Sequence, residues 1–401
     1  MIGGVQSQRD KDSSLMTPLP AMVWTDTSNA FAHNTMKVRV PEIIRDVQAL
    51  NPDYPPAIQM GLTRLAAELE QNAPIPLLDR LAPDAAFWGR FSAEHAGQTW
   101  LNTDWFFAET YFYRHLLHVT RWWETGRDPF APHKAAELRG DMLWKLLDRA
   151  LSLRDDSLPE RLAALIHADV WGNRVDLSFA AVLEHGHVGS REDLLVDDTE
   201  AVVERLLAGA GQEVHFIADN TGTELAMDLA LTDALLDAQI SPVIFHIKAY
   251  PMFVSDITVP DFHSMLAHMR GGDYGTAAQG LGNRIQAAFD DGRLAVVPNL
   301  IWNTPTALAD LPEPLRSVFD RAALVISKGD LNYRRMVGDR LWPANTPVAE
   351  AVGDFTAPLV ALRTMKSDLL VGLRTGQAEA LDGVDPYWRV NGKRALIQLK
   401  L

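Results

Sequence analysis

The stretch HFIADNTGTELAMDLALTDALL, His215 to Leu236, decides how the rest of the chain is read. It opens as an apolar run, meets Asp219-Asn220, and continues at once with apolar residues in a helix-like pattern. A buried strand that turns straight into a helix is the repeating unit of parallel α/β sheets. In such sheets ligands bind outside the carboxyl ends of the strands. A carboxylate and an amide at that exit are therefore candidates for chemistry as well as for turning the chain.

Runs of the same texture recur on either side of helical segments. They are EVHFIAD (213–219), PVIFHIK (242–248), RLAVVPN (293–299), ALVISKG (323–329) and PLVALRT (358–364). Their alternation with helices predicts an α/β domain, a mostly parallel sheet with helices on both faces. The last run, RALIQLK (394–400), reads as an edge strand. Upstream, segments such as PEIIRDVQAL (41–50) and DWFFAETYFYRHLLHVTRWWETG (104–126) carry apolar residues at three- and four-residue spacing. The expected organisation is a disordered tail over 1–16, a helical domain over 17–207 and an α/β catalytic domain over 208–401. The Trp residues of the helical part read as packing.

Composition narrows the function. The 401 residues are 47% hydrophobic and 22% charged, as in ordinary globular proteins. No apolar run is long enough to span a membrane, and the first residues lack the apolar core of a signal peptide. The expected compartment is the cytoplasm. There are no cysteines, which excludes thiolate metal sites and cysteine nucleophiles. A formal charge of −15 argues against nucleic acid and anionic membranes as partners. An anionic substrate would need cations gathered locally against that field.

The strand exits supply them. After HFIA come Asp219 and Asn220; after VIFHIKAYPMFV comes Ser255-Asp256. After LVIS comes KGDLNYRR, Lys328 to Arg335, and after LVAL comes RTMK, Arg363 to Lys366. Asp219, Asn220 and Asp256 are hard oxygen donors, suited to Mg²⁺ or Mn²⁺ more than Zn²⁺. Lys and Arg beside them suit a phosphate group. The helix that begins after Asn220 would add backbone donors and a positive dipole end. Each residue also has a plainer reading. Asp219 can cap a helix, TGTE (221–224) fits a capping box that would make Glu224 structural, and Lys328, Arg334 and Arg335 can form a solvated charge run. No P-loop and no strand-linked G-x-G-x-x-G occurs. GGDYGTAAQGLGN (271–283) reads as a flexible loop, and His246 as a core histidine.

The motifs DNTGTEL (219–225), KAYPMFVSDIT (248–258), KGDLNYRRMVGDR (328–340) and RTMK (363–366) resemble those of the metal-dependent damage-control phosphatases. The likeness is to the subfamily marked by Arg-Thr-x-Lys, and WGNRVDLSF (171–179) and FAETYFYR (107–114) are similar to its helical part. The resemblance implies a helical N-terminal domain and a Rossmann-like α/β domain. It implies a divalent metal on Asp219, Asn220 and Asp256, and substrate contacts from Glu224, from Asp330, Leu331, Asn332, Tyr333 and Arg334, and from Lys366. It implies small phosphorylated metabolites as substrates, fructose 1-phosphate and other reactive sugar phosphates among them. Thr221 and Thr223 replace an Ala and an aromatic of the usual motif, which bears on sugar specificity.

The expected function is thus a Mn²⁺- or Mg²⁺-dependent phosphomonoesterase, with Co²⁺ or Ni²⁺ as possible substitutes. Lys366 and Lys328 would neutralise phosphoryl oxygens, and Asp256 or Asp330 would act as general base. Arg363 is a candidate substrate contact or, alternatively, a structural partner of a rim carboxylate. Asn173 and Asp176 would face the site from the helical domain. The competing readings are an S-adenosylmethionine-dependent carboxyl methyltransferase, for which the Gly-rich segment AGAGQ (208–212) is poorly placed, and a non-catalytic phosphometabolite-binding protein.

Overall fold

The computed structural model describes residues 18–77, 82–172 and 193–401. The expected tail, and the segment carrying Asn173 and Asp176, lie outside the described residues. Seven strands, β1 (Leu194–Asp197), β2 (Glu213–Ile217), β3 (Val243–Lys248), β4 (Leu294–Asn299), β5 (Ala322–Lys328), β6 (Leu359–Thr364) and β7 (Ala395–Lys400), form one sheet. Their order is β1-β7-β6-β5-β2-β3-β4. Every neighbouring pair is parallel except β6 and β7. The expectation of a mostly parallel sheet flanked by helices holds.

Both faces of the sheet are covered, which is why its strands read as continuous apolar runs rather than alternating ones. One face, with Val214, Phe216, Leu324 and Ile326, packs on the helices Leu158–Trp171, Thr223–Asp237 and Val259–Gly271. The other face, with Ile217, Val325 and Ala361, packs on Trp302, Tyr333 and Trp388. The helix Thr223–Asp237 is buried on every side from Thr223 to Leu235. A third cluster joins the N-terminal helices Val40–Leu50, Pro56–Glu70 and Trp105–Val119, and reaches Tyr250, Met252 and Leu369 above the sheet.

Three expectations change. The sheet begins before residue 208, because the short β1 pairs in parallel with β7. β1 therefore covers the outer side of β7, so RALIQLK is internal and not an edge. The Gly-rich segment is mostly helix, Thr276–Asp290. A Cβ at Gly282 would lie 2.7 Å from Cβ of Met269, so glycine there allows close packing against the preceding helix.

The topology locates a crevice. From β2 the chain moves to β3 and β4 on one side, then returns to β5 and β6 on the other. The reversal falls between β2 and β5, the switch point where open α/β sheets bind ligands. The helix Val259–Gly271, just past the β3 exit, starts with a capping box in which Asp261 accepts from Thr258 N at 2.9 Å and Oγ1 at 2.6 Å. Asp261 also accepts from Lys134 at 2.8 Å. Asp261→Ala removes both functions, and a loss of roughly 1–3 kcal/mol is expected in chemical denaturation.

Candidate active site

Two loops meet beyond the strand ends. Asn220 and Asp256 form an isolated antiparallel bridge. Thr221 N donates to Ser255 O at 2.8 Å, and Ile257 N to Asp219 O at 2.9 Å. Asp256 lies eight residues past the end of β3, so the chain must double back to reach this bridge. It does so through Phe253 and Val254, at φ of 45° and 69°. Positive φ is costly for a β-branched residue and is held here by the surrounding contacts.

The amide of Asn220 is oriented by its neighbours. Its Nδ2 donates to Asp219 Oδ2 at 3.0 Å and to Glu224 Oε2 at 2.9 Å. Two carboxylates can only accept when ionised, so Oδ1 must point the other way, where Ser255 Oγ donates to it at 2.6 Å. Burial, with Glu224 and Asp256 close by, raises Asp219 well above the usual carboxylate range, against Lys248 and Lys366. Asp219 is packed so closely against Gly329 (φ 78°) that any Cβ there would collide with its carboxylate. Asp256 Oδ2 lies 2.7 Å from Lys248 Nζ, both fully buried. Its carbonyl accepts from Lys134 Nζ at 3.0 Å.

These residues line a cleft at the switch point together with Asp330, Leu331, Arg334 and Lys366. The opposite wall comes from the N-terminal helices and includes Arg39, Glu109 and Tyr113. No sequence pattern marked those residues as belonging to a site, since their proximity is purely tertiary.

The cluster of candidates after β5 and β6 is not one surface. Asp330 is on the rim, where Arg363 Nε reaches Oδ1 at 2.7 Å and Lys366 N at 3.1 Å. Burial would raise Asp330, but Arg363 together with the Ser367 and Lys366 hydrogen bonds and Arg334 holds the carboxyl below its usual range. Arg363 itself is fully buried and also donates to the carbonyls of Leu369 and Ser367. It is the structural partner of a rim carboxylate and is placed behind the cleft. Arg334 reaches the cleft edge but is bound by Asp339 at 2.7 Å and Glu109 at 2.5 Å. Asn332 donates to the carbonyls of Ala218 and Lys328, stitching β2 to the following helix. Tyr333 donates to Gln398 at 3.0 Å on the far side.

Lys328 is also turned inward. Its Nζ lies 2.5 Å from Asp169, 2.8 Å from Asp228 and 3.3 Å from Glu224, all buried. Burial alone would depress the ammonium, but the three carboxylates keep it charged and well above its usual range. Burial, then Asp169, pushes Asp228 well above the usual carboxylate range, against the pull of Lys328. Nor does Glu224 cap its helix, which starts at Thr223 with Gly222 as N-cap. It bridges Lys328 to Asn220.

The helix N-terminus after Asn220 is taken as well. Thr223 N donates to Glu137 Oε1 at 2.8 Å. Gly222, at φ 70°, has no room for a Cβ beside that carboxylate. The first N–H of this helix is thus taken by a side chain of the helix Ala131–Leu138.

Lys328→Met should destabilise the fold by about 3–5 kcal/mol, because it strands buried carboxylates. Asp228→Asn should cost much less, since the amide keeps the size of the side chain and an oxygen that accepts from Lys328, while Asp169 and Glu224 still balance the ammonium. Paired denaturant titrations at pH 7 check the contrast.

The damage-control phosphatase ARMT1-like domain model matches residues 35–381. Damage-control phosphatase ARMT1 of Danio rerio is 30% identical, over 84% of this chain and 84% of the relative. The proteins of that name from Mus musculus and Homo sapiens are 28% and 27% identical, each over 96% of this chain and 99% of their own length. Among solved structures, a DUF89 family protein from Pyrococcus horikoshii shows a TM-score of 0.46 and 14% identity, covering 90% of this chain and 97% of its own. No helix among the described residues is long and apolar enough to cross a membrane. The resemblance carried by the strand-exit motifs and the match over most of the chain agree: this protein belongs to the damage-control phosphatase ARMT1-like domain family.

Proposed function

We propose that the chain is a divalent-metal-dependent phosphomonoesterase acting on small phosphorylated metabolites, sugar phosphates such as fructose 1-phosphate among them. The observation that carries this reading is the bridge between Asn220 and Asp256, which brings Asp219, Asn220 and Asp256 together beside Lys366 at the sheet's switch point. Among the described residues no group of three His, Cys, Asp or Glu side chains is arranged to hold a metal. The set here is two carboxylates and one amide oxygen, hard donors that fit Mg²⁺ or Mn²⁺, with Co²⁺ or Ni²⁺ as substitutes. The electrostatics agree, since Glu224 and Asp256 crowd Asp219 and Lys248 and Lys366 only partly offset them.

Asp219, Asn220 and Asp256 would hold the metal, which when bound would supply Lewis-acid polarisation of the phosphoryl group. Glu224 keeps the Asn220 oxygen aimed at the cleft. Lys366 sets a positive charge on the phosphoryl oxygens as negative charge builds on them. Asp330, paired with Arg363 and held ionised, is a weak base, and Asp256 is committed to Lys248 and in this reading to the metal. Lys328 is removed from the phosphate-binding set by its buried contacts. The methyltransferase alternative has no support in the site. Its Gly-rich segment, Ala208–Gln212, leads into the amino end of β2, the opposite end from the cleft.

Asp219→Asn should abolish metal-dependent turnover while the fold persists. Mn²⁺ at roughly a hundred times its Kd should stabilise the wild type by about 2.7 kcal/mol and the variant far less. Thermal melts with and without metal, beside a phosphatase assay, check both. Asp256 is the less clean probe, because its loss leaves Lys248 buried without its partner. Lys366→Ala should lower kcat by roughly a hundredfold while keeping the metal-induced rise in Tm. A fully active Asp219→Asn would overturn the assignment, and binding without turnover in the wild type would favour a phosphometabolite-binding protein.

A further inference from the structure

The cleft has two chemically different walls. The sheet side carries Asp219, Asp256, Asp330, Asn220 and Lys366; the helical side carries Phe31, Tyr113, Glu109, the loop residue Phe253 and one cation, Arg39. Tyr113 and Phe253 pack with ring centroids 4.5 Å apart. Phe253 is one of the positive-φ residues of the loop that returns to Asp256, so the turn that positions Asp256 also presents an aromatic ring to the cleft. Arg39 closes a five-residue π-helix, Thr35–Arg39, whose wide turn is sealed by Val40 N donating to Thr35 O. Such wide turns recur at functional sites.

Arg39 differs from the other arginine of the cleft. Arg334 is neutralised by Asp339 and Glu109 and stacks on Trp105 at 3.5 Å. Arg39 is exposed and makes no hydrogen bond or ion pair among the described residues. In a chain of net charge −15, this guanidinium stands on the rim of a cleft rich in carboxylates with no partner among the described residues to hold it. A guanidinium has donors only, so what it binds must present acceptors.

Resting on the phosphatase reading, we propose that Arg39 is a specificity residue. It binds acceptor groups, hydroxyls or a second anionic group, at the end of the substrate remote from the scissile phosphate, while the aromatic wall covers the intervening carbon skeleton. The phosphoryl end belongs to the sheet side and needs no contact from Arg39.

The test compares two esters, fructose 1-phosphate and phenyl phosphate, the second of which carries no acceptor at its far end. In Arg39→Ala, KM for the sugar phosphate should rise about tenfold or more, the scale of losing a charge-assisted hydrogen bond. KM for the aryl ester, both kcat values and the metal-induced rise in Tm should stay near wild type. Arg39→Lys should recover part of the sugar-phosphate loss. An equal loss on both esters, or no loss on either, overturns the assignment. If the wild type hydrolyses neither ester, the phosphatase reading fails, and calorimetry decides on Arg39 alone. The variant must then bind fructose 1-phosphate more weakly and inorganic phosphate equally well, and any other pattern overturns the proposal.

Discussion

The ammonium of Lys328, buried among Asp169, Asp228 and Glu224, is the interaction on which the rest of the site depends. A lysine without water is unstable as a cation unless carboxylates surround it, and carboxylates without water are unstable unless a cation or a proton offsets them. Here one lysine and three carboxyl groups offset each other's cost. The three acids come from two helices and the lysine from a strand end, so the cluster locks three elements in one geometry. Glu224 has one oxygen in this cluster and the other on Asn220. The direction in which the Asn220 amide points is thus set by a charge balance deep in the interior.

Much of the fold could be read from the chain because fully covered parallel strands are short continuous apolar runs, and five of them stand out between helical segments. β1 is hidden by the same logic. With four residues and a partly exposed end it is too brief to register, and its pairing with β7 depends on contacts some 200 residues away. The Gly-rich segment misleads because glycine ordinarily marks a loop, whereas here Gly282 serves close packing of two helices.

The site was partly legible for a related reason. Strand exits on one edge of a sheet converge, so Asp219, Asn220, Asp256 and Lys366 could be grouped without knowing any distance. Consecutive residues after β5 could not, because they lie on a helix. Successive side chains there turn by about 100°. Asp330, Leu331 and Arg334 reach the cleft, while Asn332 and Tyr333 point to the sheet and its far side. Lys134, Glu137 and Asp169 carry no local signature, since their partners are distant in the chain, and Arg39 meets the cleft only through the tertiary fold.

The helix Ala131–Leu138 acts as a clamp with two jaws. Lys134 grips the loop of Asp256 by its carbonyl, and Glu137, one turn on, grips the start of the helix after Asn220. The two loops are also joined directly by their backbone bridge. Segments tied to each other and to the same short rod have few independent motions left. Any opening or closing of the cleft would then come from the other wall, with the Asp219–Asn220 and Asp256 loops travelling as one rigid body. That rigidity preserves the spacing between Asp219, Asn220 and Asp256 while the cleft fills and empties.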